Sequence, residues 1–354
     1  MCLVLAVFVV FVSSTGFSYA SDIAPIFECY IGNEVQPIRG DAGSLGRWVD
    51  EEKLAKIDRF NFPASLLSFE KEGFILVLDS IRNRVCRFSR KGVFSGELKL
   101  PFKDLAIDFA YFPGSKRVFF VFQNSAAIGV VESDLFAADI RMKSSKIFDA
   151  GQLLSEKPQL CQKIWALDDG ANSIRAADSG RVLVNFVMGG TANAIFEFND
   201  GKFSLSRRLE YSKNAAGICG CPSFAFYGIE KGVPYVWIGD AESGKIKRFG
   251  LPAEFKRSSN GYCCRGYSVI GGTAAGDFFV LASFGNSDES QTAAYVYKFD
   301  KKGLFRGRTP VVEGPDMITN RHVAVDPSGA VIFMRKAAKE RKIEFFRFEA
   351  SEKN

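Results

Sequence analysis

One histidine, His322, occurs in 354 residues. A lone imidazole cannot build a multi-histidine metal site, and a mechanism passing a proton between paired histidines is excluded. Helical periodicity is nearly as scarce, which argues against a helical bundle. No C-x-x-C pair occurs, so a dithiol redox role lacks support. There is no Gly-x-Ser-x-Gly elbow and no phosphate-binding loop with its lysine; Gly189-Gly190-Thr191 and Gly271-Gly272-Thr273 read as strand-end turns. Beyond residue 20, no stretch is long and apolar enough to span a bilayer. Neither charge sign dominates: 46 basic and 40 acidic residues leave +6, spread along the chain, and imply no polyanionic partner.

What the chain has is apolar and aromatic. Hydrophobic residues make up 47%, with 35 Phe and 33 Gly against only 12 Pro. That balance supplies a large core and fits many strands joined by tight turns. Met1–Ala20 stands apart. It has no charged side chain, Leu3–Val12 is unbroken apolar sequence, and Ser18-Tyr19-Ala20 carries small residues where a signal peptidase reads. The expectation is a secretory signal peptide cleaved before Ser21, giving a secreted or periplasmic protein with no stable membrane insertion afterwards.

Residues 21–61 read as an N-terminal segment, with strand material around Ile26–Ile31 and a short helix within Asp41–Phe60. From Phe62 the chain falls into repeating units. The first holds Leu66–Phe69, Phe74–Leu78 and Arg84–Phe88, separated by Glu70–Gly73 and Asp79–Asn83. The second uses Leu105–Tyr111, Arg117–Phe122 and Ala127–Val131, and Glu132–Gln162 reads as a long connection with a helical turn near Asp134–Ala138. The third runs from Ile164–Leu167 through Arg181–Val187 to Ala194–Phe198. The fourth takes Ser223–Tyr227, Tyr235–Gly239 and Lys245–Phe249; the fifth, Tyr267–Ile270, Asp277–Ser283 and Ala293–Phe299. The sixth takes His322–Val325, Ala330–Met334 and Ile343–Phe348. Six units spaced by roughly 40–60 residues match the period of propeller blades. The expected fold is all-β, a six-bladed β-propeller of four-stranded antiparallel blades over 62–350, with a short tail at 351–354. The last unit lacks a fourth strand, so a strand from before Phe62 is expected to complete it.

Asp79-Ser80-Ile81-Arg82-Asn83-Arg84-Val85, followed by Phe88 and Lys91-Gly92-Val93-Phe94, resembles the core of an NHL repeat. Asp240–Phe249 is similar to a degenerate copy, and Asp326-Pro327-Ser328-Gly329 resembles the turn between the first two strands of such blades. The resemblance implies a six-bladed propeller. It implies little about activity, because that fold hosts scaffolds, sensors, lactonases and lyases alike.

Seven cysteines follow the leader. Cys161, Cys219, Cys221, Cys263 and Cys264 precede the first strands of units three to five, where disulfides between neighbouring blades are geometrically plausible. The competing reading is a thiolate zinc or Cu(I) site from Cys219, Cys221, Cys263 and Cys264. Cys86, inside a strand, reads as a buried thiol. Arg321, His322, Asp79, Asp240 and Asp326 are the candidate binding residues at the channel mouth, where His322 is either an ordinary residue or a single general base. Asp79, Asn185, Asp240 and Asp326 are the strand-end oxygens that a lactonase-type Ca²⁺ would draw on. Each also reads as a turn residue bonding its own backbone. Arg335, Lys336, Lys339, Arg341 and Lys342 read as a solvated hairpin tip.

The function expected is a non-enzymatic binding scaffold taking a protein partner or small ligand on a propeller face, with no cofactor and no nucleic acid. A permanent subunit of a larger assembly differs from it only in how long the partner stays. The alternative is a propeller hydrolase or lyase with a metal or acidic cluster in the central channel.

Overall fold

A computed structural model describes residues 24–30, 45, 65–69, 72–123, 125, 127–150, 171–176, 181–186, 192–199, 202–209, 223–230, 233–240, 246–255, 263–273, 275–285, 292–311, 320–326, 328–336 and 342–349. Most of them are in strands. After β1 (Phe27–Tyr30), the first sheet is β2 (Ser65–Phe69), β3 (Phe74–Asp79), β4 (Arg84–Ser89) and β5 (Phe94–Lys99). The second is β6 (Ala106–Phe112), β7 (Arg117–Phe122), β8 (Ala127–Ser133) and β9 (Met142–Asp149). The third is β10 (Ala171–Ala176), β11 (Arg181–Phe186), β12 (Ala192–Asn199) and β13 (Lys202–Leu209). The fourth has three described strands, β14 (Ser223–Glu230), β15 (Val233–Asp240) and β16 (Ile246–Gly250). The fifth is β17 (Cys263–Gly272), β18 (Phe278–Gly285), β19 (Thr292–Phe299) and β20 (Phe305–Val311). The sixth is β21 (Val323–Val325), β22 (Ala330–Lys336) and β23 (Lys342–Glu349), with β1 as its outer strand. There β1 pairs antiparallel with β23, Phe27 opposite Phe345 and Cys29 opposite Ile343, so the two ends of the described chain share one sheet.

Each sheet is an antiparallel meander, and the fold is a β-propeller. First strands pack side by side round the ring: β2 against β6, β6 against β10, β14 against β17, β17 against β21, and β21 against β2. Strands such as β3, β6 and β7 are therefore buried on both faces and read as continuous apolar runs. In β3, Ile75 and Val77 join a core with Phe345 of the sixth sheet, while Leu76 and Leu78 join one with Phe109 and Phe120 of the second. The two-residue period of a strand sorts them. The aromatics near the ends of third strands wedge between sheets. Phe88 stacks on Phe27 at 5.9 Å, Phe198 meets Phe119 edge-on at 5.7 Å, and Phe249 lies 5.7 Å from Phe278.

Several strands depart from the sequence reading. The fourth strands β5, β9, β13 and β20 carry too little apolar alternation to be seen. Seven of the eight β9 residues are exposed, so this strand lies inside what reads as a long connection at 132–162. The first strand of the third sheet is Ala171–Ala176; Ile164–Leu167 lies outside the described residues, as does most of 41–60. Leu45, the one described residue there, is a fully buried bridge residue in the core between the sixth and first sheets.

Candidate functional site

Antiparallel order puts the starts of the first strands, with the turns joining second to third strands, on one face of the ring. The ends of the first strands, with the turns joining third to fourth strands, lie on the other. On the first face one carboxylate organises the mouth. Asp108 sits in β6 at a bulge after Ala106 and has no exposed surface. Its Oδ1 accepts a hydrogen bond from the Ser65 hydroxyl of β2, and its Oδ2 accepts from the Ile174 amide of β10 at 3.0 Å. A single side chain thus ties three consecutive first strands. A buried carboxylate is costly unless so bonded, and each bond to it is worth more than a neutral one. A register irregularity lies beside this tie in both β6 and β10.

Arg321 and His322 belong to a 3-10 turn, Asn320–His322, that leads into β21 and packs against β2 and β17. Both are half-buried. Arg321 Nη1 reaches across to the Ile107 carbonyl, next to Asp108, at 3.4 Å. The structure therefore brings Arg321, with His322 beside it on the same turn, next to the strand that carries the buried Asp108–Ser65 pair. Asp108 was missed in the sequence; the available signal was a lone acid inside the apolar strand Ala106–Phe112.

Asp79 shares that face one strand further out. It is fully buried, and its Oδ2 accepts from Arg84 Nε and Nη2, each at 3.4 Å. Asp240 ends β15 at the corresponding position, opposite Ser223. Asp326 lies at the far end of β21, about 13 Å of extended chain from His322. Its Oδ1 accepts from the Ser328 amide at 2.8 Å, a turn bond within its own hairpin. Asp79 and Asp326 thus occupy opposite ends of their sheets and do not fit one Ca²⁺ site. Among the described residues, no group of three or more His, Cys, Asp or Glu side chains is placed to hold a metal ion. From the basic tip, Arg335 pairs with Glu344 at 2.6 Å and Lys342 with Glu28 at 3.1 Å.

Cys161, Cys219 and Cys221 lie outside the described residues. Cys263 and Cys264 fall within β17 rather than before it, because that strand extends to the mouth, and Cys264 packs on an apolar cluster. Among the described residues no disulfide is formed. Cys86 is a buried thiol in the cluster that holds Cys29. Burial pushes the Cys29 thiol up to about 12 and the Cys86 thiol well above its ordinary value, which leaves both as inert apolar fillers.

No protein-family model matches the chain, and no curated protein matches it. Solved structures do. A member of the DUF4221 family from Bacteroides vulgatus is 11% identical with a TM-score of 0.51, over 82% of this chain and 94% of that one. The β-propeller domain of Cps50 (Swd1) from Myceliophteria thermophila is 7% identical with a TM-score of 0.44, over 80% and 96%. A streptogramin B lyase is 15% identical with a TM-score of 0.43, over 80% and 78%. The likeness concerns the fold alone.

Proposed function

We propose that the chain is an exported six-bladed propeller of NHL type that acts as a non-enzymatic binding scaffold, holding a protein or small ligand at the Arg321–His322 mouth. The observation that carries this reading is the Asp108 tie. Its carboxylate is consumed in fixing three first strands, so the mouth is a rigid rim carrying a cationic fork, and a pre-organised rim costs little to bind. Asp79 and Asp326, two of the acids an enzyme of this fold would recruit, are committed to structural bonds. Met1–Ala20 supports export.

Native mass spectrometry of protein purified from an exporting host without chelator tests the proposal. The expected species begins at Ser21, retains no metal and carries its ligand as a mass shift. Arg321→Ala lowers retention of that ligand about tenfold or more, the worth of a charged hydrogen bond. Retained Ca²⁺ overturns the scaffold in favour of a hydrolase or lyase, and lactone and ester substrates become the next assay.

A further inference from the structure

We propose that the disc face opposite Arg321 docks on an anionic lipid surface through two equivalent hairpin tips. The tips are Ser89-Arg90-Lys91-Gly92-Val93-Phe94 in the first sheet and Asp300-Lys301-Lys302-Gly303-Leu304-Phe305 in the fifth. Each joins a third strand to a fourth, so both lie on that face.

The two are built alike, bond for bond. Gly92 N donates to the Ser89 carbonyl at 2.9 Å, and Gly303 N to the Asp300 carbonyl at 2.8 Å. Ser89 N donates to the Val93 carbonyl at 2.9 Å, and Asp300 N to the Leu304 carbonyl at 3.0 Å. The first side chain of each tip then caps the turn. Ser89 Oγ accepts from Lys91 N and Val93 N at 3.3 and 3.1 Å, and Asp300 Oδ1 from Lys302 N and Leu304 N at 2.8 and 2.9 Å. Both glycines take the left-handed conformation, with φ of +76° and +79°. The result is a rigid loop that projects the residue after glycine: Val93 is 63% exposed and Leu304 55%.

Exposed large apolar residues are rare here. Five occur among the described residues, and three of them, Val93, Leu304 and Phe305, belong to these tips; Met142 and Ile147 lie on the outer strand β9. Cations surround them. Arg90, Lys91, Lys301 and Lys302 are all exposed, and the one acid in either tip, Asp300, is matched by Arg306 at 2.5 Å. An aliphatic point ringed by cations is the chemistry of an interfacial anchor: the apolar part enters the headgroup boundary while the cations meet acidic lipids. Two such points separated by the sixth sheet suit a flat, laterally mobile surface, which needs no shape complementarity.

The test is vesicle flotation of the protein as processed by an exporting host. Phosphatidylglycerol-containing vesicles are expected to carry it at low salt and to release it as salt rises, with binding to pure phosphatidylcholine at least about tenfold weaker. Lys91→Glu with Lys302→Glu lowers binding by about tenfold or more, and Val93→Ser with Leu304→Ser also weakens it. All four sites are exposed, so unchanged near-ultraviolet dichroism confirms that the variants fold. No flotation at low salt, equal binding to neutral vesicles, or wild-type binding by the folded charge-reversed variant each overturns the proposal. Ligand retention at Arg321 is independent of these variants, so either proposal fails without the other.

Discussion

The first and fifth sheets end their third strands in the same hairpin but fill their interiors differently. In the first, Arg84 lies inside the sheet, 1% exposed, 3.4 Å from Asp79 and 2.5 Å from Glu97. Burial opposes its charge, and the carboxylates of Asp79 and Glu97 stabilise it. In the fifth sheet, β19 carries Tyr295, Tyr297 and Phe299, and the arginine sits outside. Arg308, 41% exposed, lies 4.7 Å over the Tyr295 ring and donates to Tyr297 and Glu254 at 3.3 and 2.9 Å. One backbone plan therefore tolerates a desolvated ion network or an aromatic layer capped by charge. Only the first is vulnerable to losing a single partner.

The largest expected effect sharpens that contrast. Arg84→Ala removes the guanidinium from the buried Asp79 carboxylate and costs about 3–5 kcal/mol, whereas Arg308→Ala, at the solvent edge, costs about 1 kcal/mol or less. Urea denaturation measures both. Asp79→Leu combined with Arg84→Met recovers most of the loss, since an apolar pair of similar volume needs no desolvation of charge. Equal costs for Arg84→Ala and Arg308→Ala would erase the distinction between the sheets.

The shared hairpin gives the next effect. A Cβ on Gly92 would overlap Phe27, and one on Gly303 would overlap Phe249, each an aromatic from the preceding sheet in the ring. Gly73 has the same left-handed φ, +79°, with nothing within 4 Å. Gly92→Ala and Gly303→Ala are therefore expected to cost about 2–4 kcal/mol, backbone strain plus overpacking, against about 1 kcal/mol for Gly73→Ala. Thermal melts of the three variants separate the two causes. If Gly73→Ala costs as much as the others, the close approach between sheets is not what fixes these glycines.

What could be read from the sequence follows the same physics. Second and third strands such as Phe74–Asp79 and Phe278–Gly285 are buried on both faces and announce themselves as apolar runs. Fourth strands are half in solvent, and Met142–Asp149 shows neither a run nor an alternation. Asp79, Asp240 and Asp326 were visible because turn residues have a sequence signature, and the same property ties Asp326 to its own hairpin. Asp108 was hidden because its partners, Ser65 and Ile174, lie 43 and 66 residues away on other sheets. Arg321 and His322 were visible as a polar step before a strand, but their meeting with Ile107 depends on closure of the ring.

The smallest effect compares two buried phenols. Tyr111, in the second sheet, accepts from the Leu135 amide at 3.1 Å and points its hydroxyl at Asp134. Burial is the main cause that lifts it from the ordinary 10.0 to about 12. Tyr297, in the fifth sheet, is lifted further by burial, against the opposing pull of Arg308. A raised folded pKa favours the neutral phenol. The stability it contributes is complete below pH 10 and is lost as pH rises through about 12. Alkaline denaturation of the wild type should therefore steepen across that window, with the phenolate absorbance of the last tyrosines appearing only as the fold is lost. Tyr111→Phe removes the acceptor of Leu135, costs about 1 kcal/mol at neutral pH, and shallows the alkaline slope. An unchanged slope in Tyr111→Phe would mean that the second sheet opens to hydroxide before its phenol titrates, and that Tyr297 in the fifth sheet alone sets the alkaline limit.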